Sequence, residues 1–163
     1  MTIQVGDRLP QVTFRVMTPD GPEPRTTDDI FNGRKVVLVG VPGAFTPTCH
    51  RNHLPGFVEK AQQFKAKGVD AIAVTAINDV FVMDAWARSS GAEGIEFLAD
   101  GNGEFAAAVG LTIDRTASGL GTRSQRYAMV VEDGVVRALK VEDTPSKADV
   151  SGADSLLKAL EAA

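Results

Sequence analysis

Cysteine is almost absent: the 163 residues hold one, Cys49. A lone thiol forms no internal disulfide, so the fold stands without covalent staples and suits a reducing compartment. Histidine is nearly as scarce, with two copies, His50 and His53. Zinc sites take three or four protein ligands, so a metal shared by Cys49 and His53 is a poor reading, and no metal or cofactor is expected. Long apolar runs are missing: nothing approaches the ~20 residues of a spanning helix. The opening "MTIQVGDRLP" has neither the basic start nor the apolar stretch of a secretory signal, and the chain reads as cytoplasmic. Basic excess is absent as well. The formal charge is -4 and the 17 Lys and Arg are scattered, which removes the electrostatic footprint for nucleic acid or an anionic membrane.

What is present is a 44% hydrophobic chain, long enough to bury one continuous core as a single domain over residues 1–163. Short apolar runs bounded by Gly, Pro or Asp predict strands at 11–16, 35–41, 70–77, 95–100, 127–134 and 135–142. Two of them are near-continuous Val, Ile, Leu and Ala, the pattern of central strands covered on both faces. Helical spacing fills 47–67, 79–90, 103–109 and 151–162, the first three ending at Gly68, Gly91 and Gly110. Strands alternating with helices predict an α/β sandwich. Asp133-Gly134 between two apolar runs predicts a hairpin, so antiparallel strands join helix-linked ones in a mixed sheet. The Pro- and Asp-rich stretch 18–29 is expected to be a surface loop.

The thiol lies in "VGVPGAFTPTCHRNHLPGF". Thr46 suits a helix N-cap and Pro47 the first helical position, which puts Cys49 at the third, among backbone N–H groups without helical partners. Those groups and the helix dipole favour an anion by ~0.3–1 kcal/mol, or ~2 when partly buried. At ~1.36 kcal/mol per unit, a thiol pKa near ~8.5 falls by at most ~1.5, too little for full ionisation without a cation. Histidine titrates near ~6.5, and lower when buried, so an arginine is the better candidate. Arg126 lies between the Gly-rich "SGLGTRSQ" and the strand "YAMVV"; Arg123, Arg115 and Arg51 remain alternatives. On the residues alone Cys49 is also readable as an inert core thiol, Thr46 as a plain cap, Pro42 as a strand end, and Arg126 as a surface arginine paired with a carboxylate.

"PGAFTPTC" resembles the peroxiredoxin signature Pro-x-x-x-Thr-x-x-Cys, filled by Pro42, Thr46 and Cys49. "HLPGFVEKAQQFKAKGV", "INDVFVMDAWA", "GLGTRSQRYAMVVEDGVVRALKVE" and "SGADSLLKAL" extend the likeness over nearly the whole chain, to the type II, peroxiredoxin 5-like branch. The resemblance implies a thioredoxin-like fold with helices on both faces of the sheet. It also implies reduction of hydrogen peroxide and alkyl hydroperoxides through a thiolate, and a homodimer. Carried over by position, Cys49 is the peroxidatic cysteine, Thr46 bonds thiolate and peroxide, Pro42 shields the thiolate, and Arg126 is the active-site arginine. His53 matches a histidine common in the family, and Leu120 falls where a pocket and dimer contact are expected, while its Gly-rich surroundings by themselves indicate only a mobile turn.

The sequence departs from part of the family in one respect. Places that hold a resolving cysteine in some members carry Val74 and Val150 here. A one-cysteine cycle is therefore expected, with glutathione and glutaredoxin as the first-choice reductant and thioredoxin as the second. Two other readings fit parts of the sequence. A cysteine hydrolase needs a histidine set against the thiol by the fold, an awkward demand on His50 and His53, which share its helix. A peroxide-sensing or chaperone-like protein would use Cys49 oxidation to change its partners with slow turnover.

Overall fold

The computed structural model describes residues 2–47, 53–92, 94–144 and 148–162. Strands β1 (Thr13–Thr18) and β2 (Gly21–Thr26) form a hairpin, followed by helix α1 (Thr27–Phe31) and β3 (Lys35–Gly40). Then come α2 (Leu54–Glu59), α3 (Ala61–Ala66), β4 (Ala71–Ala76), α4 (Val80–Ser89), β5 (Ile95–Ala99) and α5 (Glu104–Val109). Short strands β6 (Thr112–Asp114) and β7 (Thr122–Ser124) pair with each other. The chain closes with β8 (Tyr127–Glu132), β9 (Val135–Val141) and α6 (Ala153–Ala162). The main sheet has seven strands in the order β2-β1-β5-β4-β3-β8-β9. β3, β4 and β5 are parallel, while β8 runs antiparallel to β3 and β9 to β8. This is the expected mixed sheet of the thioredoxin-like α/β class.

Alternation along the central strands decides which side chain meets which layer. Val37, Val39 and Val41 join Ile72 and Val74 of β4 against Leu54, Phe57, Phe64, Met83, Trp86 and Leu156, from α2, α3, α4 and α6. Val36 and Leu38 face the other way, with Ala73, Met129 and Val131, onto Phe31 of α1 and Phe105 of α5. Both faces of the sheet are therefore covered, which is why β3, β4 and β8 read as unbroken apolar runs.

Three expectations are corrected. The stretch 18–29 is ordered: β2 is an edge strand whose Pro22 and Pro24 oppose Met17 and Arg15, a place where a missing N–H is tolerated. It runs into α1, capped reciprocally by Thr26 and Asp29. The helix expected over 47–67 is interrupted in its described part, since Lys60 (φ −102°, ψ 11°) separates α2 from α3. "SGLGTRSQ" is a pinned corner rather than a mobile turn: Gln125 N–H donates to Leu111 O at 2.7 Å and Arg123 Nε to Leu120 O at 2.8 Å. The hairpin at Asp133-Gly134 is present, both residues having positive φ (49° and 78°).

Candidate functional site

The site begins where β3 ends. Gly40 lies opposite Tyr127 across the β3–β8 ladder, and a Cβ on Gly40 would sit 2.0 Å from the tyrosine ring. Only glycine lets that ring cross the strand, and the close approach brings the loop after β3 beside the start of β8. Val41 N–H donates to Thr75 O at 3.1 Å, and Ala44 N–H donates to Asn78 Oδ1 at 2.9 Å. Arg123 Nη1 reaches Ile77 O at 3.2 Å. Phe45 takes a positive φ of 63°, and its exposed ring lies 6.5 Å from that of Trp86 on α4.

Pro42 is buried in this loop and Thr46 half-buried. The Thr46 hydroxyl donates to Gly43 O at 2.7 Å. A carbonyl only accepts, so the threonine proton is committed and its lone pairs remain for a donor. Cys49, with His50 and Arg51, lies outside the described residues, as does the expected position of the thiol in the first helical turn.

His53, immediately before α2, is 1% exposed, and Arg126, immediately before β8, is 2% exposed. A surface arginine at a strand end is thereby replaced by a buried one. Arg126 Nη1 donates to His53 Nδ1 at 2.9 Å, and His53 Nε2 lies 2.9 Å from Ser151 O. The carbonyl demands a proton on Nε2 and the guanidinium a lone pair on Nδ1, so His53 is the neutral Nε2–H tautomer. Burial first, and the Arg126 charge after the opposing pull of the Ser151 carbonyl, push its pKa down to about 4. The ring also packs 5.6 Å from Phe57.

This geometry takes His53 out of two chemistries. With both ring nitrogens engaged, His53 offers no lone pair to a metal and no base to a cysteine hydrolase. Of the other arginines weighed, Arg123 braces main-chain carbonyls, and Arg115 has a buried Nε without a hydrogen-bond partner among the described residues. Sequence reasoning did not find Asn78, Ser151 or Glu142, whose Oε2 accepts the Ser151 N–H at 2.7 Å. Their roles depend on contacts between distant segments, and nothing local marks them beyond the Ser-Gly that precedes the last helix.

Comparison with known proteins agrees with this architecture. The Redoxin family model matches residues 4–157. Peroxiredoxin-2E-2, chloroplastic, of Oryza sativa subsp. japonica is 47% identical over 98% of this chain and 73% of its own length. Peroxiredoxin-2B of Arabidopsis thaliana is 43% identical over 97% of this chain and 98% of its own. Among solved structures, reduced Prx3 of Vibrio vulnificus in complex with hydrogen peroxide superposes with a TM-score of 0.93 at 48% identity, covering 98% of this chain and 97% of that one. Family match, sequence relatives and superposition all extend over nearly the whole chain, and on that ground it belongs to the peroxiredoxins, thiol-dependent peroxidases of antioxidant defence.

Proposed function

We propose that Cys49 is the peroxidatic nucleophile of a one-cysteine peroxidase cycle. Its thiolate sulfur attacks one oxygen of a hydroperoxide and the O–O bond breaks. The electron pair leaves with the other oxygen, which takes a proton and departs as water or alcohol, while the sulfur becomes a sulfenic acid. The observation that carries the reading is the buried Arg126 guanidinium held by His53, whose ring stands four residues after Cys49 in the chain. An oriented, desolvated cation stabilises charge moving along the O–O bond, which a modest drop in thiol pKa does not achieve. Thr46, its proton turned to Gly43, suits a peroxide O–H donor better than a thiolate, which only accepts. This narrows the role that family resemblance gave it. Pro42 forms the buried wall of the same loop.

Within these 163 residues no second cysteine is available, and the two alternative positions are Val74, buried in β4, and Val150, exposed before α6. An external thiol then condenses with the sulfenic acid, releasing water. A second thiol breaks the mixed disulfide and restores Cys49. Glutathione with glutaredoxin is the reductant proposed, ahead of thioredoxin. A homodimer is also proposed, on the exposed aromatic side chains of Phe45, in the loop after β3, and Phe81, on α4.

Stopped-flow oxidation of the reduced protein by hydrogen peroxide tests the nucleophile. A rate far above that of free cysteine, lost in Cys49→Ser, is expected; a rate near that of free cysteine leaves only the sensor reading. Turnover with glutaredoxin and thioredoxin systems in parallel assigns the reductant, and mass spectrometry of the oxidised protein mixed with glutathione should show one glutathionyl adduct on Cys49.

A further inference from the structure

Four buried residues close a hydrogen-bonded circuit that starts and ends on Arg126. Glu142 N–H, just after β9, donates to the main-chain carbonyl of Arg126 at 3.0 Å. The Oε2 of Glu142 accepts both the N–H and the hydroxyl of Ser151, at 2.7 and 2.6 Å. The carbonyl of Ser151 accepts from His53 Nε2, and His53 Nδ1 accepts from the Arg126 side chain. The members come from four separate places: the starts of β8 and α2, the end of β9, and the turn before α6.

A carboxylate taken from water costs several kcal/mol unless its partners compensate, and Glu142 is 7% exposed beside a fully buried Ser151. Its two bonds to Ser151 fix the peptide that presents the Ser151 carbonyl. That carbonyl in turn selects the Nε2–H tautomer of His53. Without it the other tautomer would turn an N–H toward the guanidinium, donor against donor, and Arg126 would lose its aim. We propose that Glu142 and Ser151 are positioning residues for Arg126, acting through the tautomer of His53. The proposal rests on Arg126 serving the peroxidase reaction described above.

The test uses the full chain with Glu142→Ala and Glu142→Gln. Oxidation by hydrogen peroxide requires Arg126 at the O–O bond, whereas alkylation by iodoacetamide requires only the thiolate. In Glu142→Ala the peroxide rate constant should fall about tenfold or more, with alkylation, which follows the thiolate fraction alone, falling severalfold less. Glu142→Gln, which keeps an acceptor oxygen for Ser151, should recover most of the loss. Imidazole 15N spectra, assigned with His53→Asn, should show one His53 tautomer in wild type and a mixture in Glu142→Ala. If Glu142→Ala does not fold, Ser151→Ala removes one donor, leaves the main chain in place, and carries the same comparison. Three results would overturn the proposal: an unchanged peroxide rate, equal losses of both rates, or a single His53 tautomer in the variant. A wild-type protein no faster than free cysteine would defeat the peroxidase reading instead, while the spectra still judge the circuit.

Discussion

Acid should destabilise this protein through His53 in a way one substitution can isolate. The folded imidazole has its pKa pushed down to about 4, against an ordinary 6.5. Between those values the unfolded chain binds the proton and the native protein does not. Stability from this group is therefore complete above pH 6.5 and is lost as pH falls toward 4. At ~1.36 kcal/mol per pH unit the gap corresponds to about 3 kcal/mol, a large share of the ~5–15 kcal/mol that holds a domain folded. Most of it is lost by pH 4.5.

The comparison is urea denaturation of wild type and His53→Asn at pH 7 and 4.5. Asparagine keeps an oxygen acceptor toward Arg126 and has no titrating proton. The variant starts less stable, yet its further loss on acidification should be smaller than that of wild type by roughly 2–3 kcal/mol. Asp100, whose carboxyl is held up by burial, is present in both proteins and cancels. The same protonation puts His53⁺ against Arg126⁺, so peroxide oxidation, taken relative to alkylation of the same thiolate, should show a further acid loss that His53→Asn lacks. Parallel losses of stability in the two proteins would refute the neutral, buried imidazole.

Arg126→Lys replaces a planar fork of donors with a point charge; its peroxide rate constant by stopped flow should drop about 10²-fold, and retention of the wild-type rate would return Arg126 to a structural role. Gly40→Ala forces a methyl into the Tyr127 ring, 2.0 Å away, and should cost about 1–3 kcal/mol in denaturant melts; an unchanged midpoint would mean that the ring moves freely. Phe81→Glu on the exposed face of α4 should convert a dimer to a monomer in sedimentation velocity; an unaltered dimer would place the interface elsewhere.

Helices and central strands were legible because burial imposes its period locally: unbroken apolar runs became β3, β4 and β8, and Gly68, Gly91 and Gly110 mark helix ends in the left-handed region. The β2 strand was hidden because its prolines are strand breakers anywhere but an edge, and edge position is a property of the whole sheet. Arg126 was one of four arginines until burial separated it. Resemblance to a family promoted it; the residues alone could not, because its partner His53 is 73 positions away. Glu142 had no local sign and Ser151 only the Ser-Gly before the last helix, since each acts through a contact closed only when β9 and α6 meet α2.

The choice of a histidine beside Arg126 has an electrostatic consequence. A carboxylate in that position would orient the guanidinium equally well, but its charge would oppose the field the guanidinium offers a peroxide, most strongly in a buried, low-dielectric setting. A neutral imidazole orients without that opposition. The negative charge of the circuit is instead set back on Glu142, with Ser151 and His53 between its carboxylate and the guanidinium and with both Ser151 donors on a single oxygen. Comparing His53→Glu with His53→Gln separates charge from the lost imidazole: the carboxylate keeps a bond to the arginine but leaves the Ser151 carbonyl without its donor, and the neutral amide is the control for that loss. Peroxide oxidation should be slower by about tenfold or more in His53→Glu than in His53→Gln as the guanidinium's field is offset. Equal peroxide kinetics in the two well-folded variants would show that geometry alone suffices.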